Sequence, residues 1–124
     1  MSVLDWLVRR ALRKSQLRQS KFLIGFDADR LWCQPPGLPE RALGWSELTG
    51  VSIKTTDKGP FEADFFWVHR ASDGRTIRFP GGATGAQELF TRLQQLPGFD
   101  HDAVIAATTS TQPRSLDCWQ SGGA

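Results

Sequence analysis

Asp57, Glu62 and Asp64 fall close together around a predicted loop, a grouping able to hold a divalent cation or to divide acid and base work between carboxyls. They lack the spacing of an EF-hand loop and surround Lys58-Gly59-Pro60, so a solvated loop is the simpler reading. The Gly-rich run Pro80-Gly81-Gly82-Ala83-Thr84-Gly85 precedes a predicted helix, where main-chain amides can hold an anion; Gly82, Thr84 and Gly85 are therefore candidate anion-site residues. The run has neither the Gly-Lys-Ser/Thr ending of a phosphate loop nor the spacing of a dinucleotide fingerprint, and a tight strand-to-helix turn explains it more simply. His69 lies in a predicted strand and His101 near a helix start, and neither has a second imidazole at metal-ligand spacing. Cys33 and Cys118 have no CxxC partner and read as buried free thiols. The sequence therefore names no catalytic residue, no metal site and no cofactor.

The tryptophans and the basic residues are the other candidates. Trp32, Trp45, Trp67 and Trp119 fall in or beside predicted strands, where large rings fill a core rather than form a sugar-stacking platform. Trp6 differs. At 100° per residue Leu4, Leu7, Val8, Ala11 and Leu12 share one side of a predicted N-terminal helix, and Trp6 falls on the opposite side among Arg9, Arg10 and Arg13. With Lys14 and Arg18 these residues are candidates for contact with an anionic membrane surface or with a partner.

The elements that would position these groups follow from pattern. Residues 1–20 read as a basic amphipathic helix, opened by the capping-box pair Ser2 and Asp5. Phe22, Ile24 and Phe26, the acidic turn Asp27-Ala28-Asp29, and Leu31-Trp32-Cys33 read as a β-hairpin, followed by a proline-rich loop and a short strand over residues 41–44. The alternation of Val51-Ser52-Ile53-Lys54-Thr55-Thr56 predicts a half-exposed strand, which continues through residues 64–70 and 75–79 as an antiparallel meander. Thr84 and Gln87 suggest a capping box ahead of Leu89, Phe90, Leu93 and Leu96 at helical spacing. A shorter helix over 102–107 and a strand over 115–119 close the domain, and residues 120–124 read as a flexible tail.

The chain has a formal charge of +2, with six basic and one acidic residue in positions 1–21 and nine basic and twelve acidic in positions 22–124. A nucleic-acid-binding domain would spread its basic residues over the folded face, so nucleic acid is disfavoured as a partner. No apolar run reaches the 18 residues of a spanning helix and no secretory leader pattern is present, which suggests a cytoplasmic protein, peripheral at most to the inner face of the membrane.

Trp45-Ser46-Glu47-Leu48-Thr49-Gly50-Val51 at the start of a meander, with a helix late in the chain, resembles bacterial pleckstrin-homology-like domains. Residues 55–61, Phe66-Trp67-Val68, Pro80 to Gly85, Leu96-Pro97-Gly98-Phe99-Asp100, Ser110-Thr111 and Cys118-Trp119 resemble a family of small uncharacterised bacterial proteins, over residues 21–119. The resemblance implies an α+β fold: a β-meander or partly open barrel of six or seven strands, with the N-terminal amphipathic helix and C-terminal helices. It implies no activity. Phosphoinositide recognition needs a basic first hairpin, and here that turn is Asp27-Ala28-Asp29-Arg30. The expected function is a non-enzymatic protein or peptide interaction module, an adaptor or immunity-type protein, with anionic-membrane binding through the N-terminal helix as the alternative and an enzyme as the third.

Overall fold

The computed structural model describes residues 17–57, 65–110 and 112–121. They form two open antiparallel sheets and two helices. The first sheet contains β1 (Leu23–Phe26), β2 (Arg30–Gln34) and β3 (Arg41–Gly44) in that order. The second contains β4 (Leu48–Thr55), β5 (Phe65–Ala71), β6 (Thr76–Pro80) and the C-terminal β7 (Arg114–Gln120), in the order β6-β5-β4-β7. Helices α1 (Ala86–Leu93) and α2 (His101–Thr109) lie in sequence between β6 and β7.

Both meanders and the α+β class follow the sequence pattern. The sheets do not close into a barrel. A single turn of 3-10 helix, Trp45–Glu47, redirects the chain after β3, so β4 leaves the first sheet instead of extending it. This leaves β3 and β6 as neighbouring sheet edges.

Alternation builds the core between the sheets. Leu31 and Cys33 of β2, Leu43 of β3, Val51 and Ile53 of β4, Trp67 of β5, and Ile77 and Phe79 of β6 are buried. Helix α1 contributes Ala86, Leu89 and Leu93 at spacings of three and four and packs on β1. Helix α2 packs Ala103, Val104 and Ala107 against β7 and β4. Its start is fixed by Asp100, whose Oδ1 accepts the Ala103 amide at 3.0 Å.

Three expectations are corrected. Thr84 and Gln87 form no capping box: the N-cap of α1 is Gly85, in the left-handed region at φ 92°, and the Thr84 hydroxyl donates instead to the Ser20 carbonyl at 2.7 Å. Of the strand tryptophans only Trp67 is buried; Trp45 and Trp119 are half-buried against the core. Trp32 is turned to the outer face because its neighbours Leu31 and Cys33 take the inner one, and its indole fills the space over Gly25, the residue opposite on β1. Finally, β7 runs on through Gln120, which therefore belongs to the sheet rather than to a tail.

Candidate functional site

Only some of the candidate groups fall among the described residues. Trp6, Arg9, Arg10, Arg13, Lys14, Glu62 and Asp64 lie outside the described residues, as does the capping pair Ser2 and Asp5. Arg18 is exposed at the end of a short helical stretch, residues 17–19. Asp57 is exposed. The amides of Gly82, Ala83 and Thr84 in the Pro80–Gly85 turn are spent within the chain. Gly82 donates to Gln19 Oε1 at 2.8 Å, Ala83 to the Pro80 carbonyl, Thr84 to the Phe22 carbonyl and Ala86 to the Ala83 carbonyl. The run is a turn that clasps β1, with the Ile24 amide donating back to the Thr84 carbonyl at 2.8 Å.

The nucleophile and base candidates Cys33, Cys118 and His69 are buried. Cys33 and Cys118 are free and buried, and burial pushes both thiols up to about 11, which keeps them protonated. His69 is fully buried, stacked on Phe79 with ring centroids 5.3 Å apart, and among the described residues neither ring nitrogen has a hydrogen-bond partner. Burial, which disfavours the charged imidazolium, pushes its pKa down to about 4. Among the described residues no three His, Cys, Asp or Glu side chains form a group able to hold a metal ion. The acidic hairpin turn is internally bonded: the Asp29 and Arg30 amides donate to Asp27 Oδ1 and hold that carboxyl below its usual range.

The sheet edges are where the molecule offers unsatisfied chemistry. In an antiparallel pair, opposed residues alternately exchange both main-chain bonds or neither, and the groups of the non-exchanging residues point outward. On β3 the phase is set by the Trp45 amide, which donates to the Asp29 carbonyl at 3.0 Å. Ala42 and Gly44 therefore direct their main-chain groups to the free edge. Each position has a main-chain group capped by a side chain: Arg75 Nη1 donates to the Ala42 carbonyl at 3.3 Å, and the Gly44 amide donates to Glu47 Oε1 at 3.0 Å. The edge of β1 is clasped by the turn at Thr84. That of β7 meets the segment before α2, where the Asp100 amide donates to the Cys118 carbonyl at 2.7 Å and Trp119 Nε1 to the Pro97 carbonyl at 2.8 Å.

β6 differs from the other edges. The Ala71 amide donates to the Arg75 carbonyl and the Gly81 amide to the Phe65 carbonyl, which fixes the β5–β6 phase at both ends. By that phase the amides and carbonyls of Thr76 and Arg78 point away from β5, and among the described residues nothing meets them. Beside this edge, toward β3, is a groove of about 460 Å³ lined by Glu40, Arg41, Ala42, Leu43, Arg75, Thr76 and Ile77. Leu43 and Ile77, 1% and 2% exposed, form its apolar floor, and the charged side chains form its rim. Sequence reasoning placed the strands but not this edge, because the phase of a ladder depends on register.

No family model, curated protein or solved structure matches the chain. Among the described residues no helix is long and apolar enough to cross a membrane.

Proposed function

We propose that this chain is a non-enzymatic interaction module, of pleckstrin-homology-like architecture, that binds an extended segment of a partner protein along β6. The observation that carries the reading is the Thr76–Arg78 edge, unpaired among the described residues and beside an apolar-floored groove, while the edges of β1, β3 and β7 are each met in part by the chain itself. An added strand gains main-chain hydrogen bonds from such an edge and side-chain selectivity from a neighbouring pocket. The brevity of β6 and its terminal Pro80 limit the added ladder to a few bonds, which favours a short segment over open-ended sheet growth.

The test is a peptide-display selection on the full chain, with the recovered peptides re-measured on Thr76→Pro. Proline at the first residue of the strand deletes an outward-facing amide and leaves the β5–β6 ladder intact. Recovered peptides that lose at least tenfold in affinity on Thr76→Pro support the reading. Peptides that bind both proteins equally, or a selection that enriches none, sink it.

A further inference from the structure

Resting on that reading, we infer that the segment received by β6 alternates apolar and acidic residues, and that Arg78 selects the acidic ones. A strand paired with β6 places successive side chains on opposite faces of the enlarged sheet. Those opposite Ile77 face inward, over the floor that Ile77 shares with Leu43. Those opposite Thr76 and Arg78 face outward, where cross-strand neighbours stand about 5 Å apart.

The uncommitted charges nearest the outward residues are basic. Arg78 is exposed, and its guanidinium lies over the Phe66 ring, 4.2 Å from the centroid, which holds it flat on the sheet beside the free edge. It has no acidic partner among the described residues. On the same face Arg70 is already engaged, by Ser52 Oγ at 2.7 Å and Asp117 at 3.3 Å, and Lys54 is exposed further in. At the groove rim Arg75 is held by Glu47 and Asp73, and Glu40 lies 3.9 Å from Arg30, whereas Arg41 has no ion-pair partner among the described residues. The uncommitted charges next to the edge are thus Arg78 and Arg41. A like-charged segment would be repelled there, and an acidic one attracted, so charge sets which segment is accepted while the main-chain bonds supply the common affinity.

The experiment measures fluorescence anisotropy of two labelled synthetic peptides, Val-Glu-Val-Glu-Val-Glu-Val and Val-Lys-Val-Lys-Val-Lys-Val, on the full chain, on Arg78→Glu and on Thr76→Pro. The expected result is at least tenfold preference for the glutamate peptide by the unaltered chain, reversal of that preference by Arg78→Glu, and weakened binding of the glutamate peptide to Thr76→Pro. Equal binding of both peptides that Thr76→Pro still weakens would overturn the acidic preference and leave the β6-edge reading standing. A glutamate preference indifferent to Thr76→Pro would place the contact away from the edge and overturn both. Binding of neither peptide, or a preference that Arg78→Glu leaves unchanged, also overturns the inference, and the display selection then judges the edge reading by itself.

Discussion

Arg75 and Glu47 join the two sheets: the guanidinium entering β6 pairs through Nη2 with the carboxylate that ends the 3-10 turn after β3. The same two side chains cap the β3 edge, Arg75 at the Ala42 carbonyl and Glu47 at the Gly44 amide. One ion pair therefore occupies two outward main-chain groups of β3, whereas no side chain among the described residues meets those of β6.

Arg75→Ala should change stability little and association a great deal. Both partners are about half exposed, and solvent screens pairs of that kind until they add little to stability. The substitution uncovers the Ala42 carbonyl and frees Glu47, giving β3 an outward-facing edge able to pair with another copy. Sedimentation velocity across a concentration series should show self-association of Arg75→Ala and not of Arg75→Lys, which keeps a donor within reach of Ala42. A monomeric Arg75→Ala at every concentration would show that the pair guards nothing.

His69 should make the fold acid-sensitive. Its pKa is about 4 in the folded state against 6.5 for a solvated imidazole, so between those values the unfolded chain binds the extra proton. The sign follows: stability is unaffected by this group above pH 6.5 and falls as pH drops toward 4, by an amount approaching about 3 kcal/mol. His69→Leu removes the proton site and two buried nitrogens without partners, and should raise stability at neutral pH by about 1 kcal/mol. Urea unfolding at pH 5 and pH 7.5 separates the two effects. A difference between those pH values that His69→Leu leaves as large as before would assign the acid sensitivity to another group.

Gly85 and Gly74 should respond very differently to alanine. Both have positive φ, 92° and 89°, which costs an L-residue about 1–2 kcal/mol. A Cβ at Gly74 meets open space, whereas one at Gly85 would lie 2.1 Å from the Ile24 carbonyl oxygen. That oxygen is backbone in β1 and cannot turn aside. Gly74→Ala should therefore lose about 1 kcal/mol in denaturant unfolding, and Gly85→Ala about 3 kcal/mol or more, with loosening of the β1 contact to Thr84 visible as faster exchange of the Ile24 amide. Equal losses at the two sites would refute the clash.

Cys33 and Cys118 should resist alkylation in the native protein. With both thiols pushed up to about 11 and their side chains in the core, iodoacetamide at pH 8 should modify them only through opening of the fold. Alkylation rates that track added urea would agree with this. Rapid native-state reaction of Cys33 would mean that β2 opens far more readily than its buried neighbours suggest.

Much of this arrangement is visible in the sequence because period-two burial writes itself into residue type. Val51 and Ile53 face inward and Lys54 outward, as the alternation of β4 suggests, but the expected half-exposed strand is almost wholly buried: Ser52 on the other face is covered by Arg70, which the sequence pattern alone does not show. The same alternation assigns His69 to the core side of β5, between Trp67 and Ala71. Features that depend on two segments at once are not readable. Trp32 looks like a core residue until Gly25 is known to lie opposite it. Thr84 looks like a helix cap until Ser20 is known to sit within reach of its hydroxyl. The bare edge is hidden for the same reason, since Thr76 and Arg78 carry ordinary strand residue types and only the register turns their amides outward.

The pairing of β4 with β7 joins Val51 to Trp119 and Thr55 to Arg114 across the whole second half of the chain. During synthesis the first sheet, β1 to β3, is complete long before residues 114–120 leave the ribosome, and until then β4 has one exposed side. Closing that long loop costs chain entropy before any strand contact repays it, so the second sheet should form late and slowly. A nascent chain stalled ahead of β7 would present β4 to whatever chaperone stands at the exit tunnel, making the last strand the step that commits the molecule to its folded state.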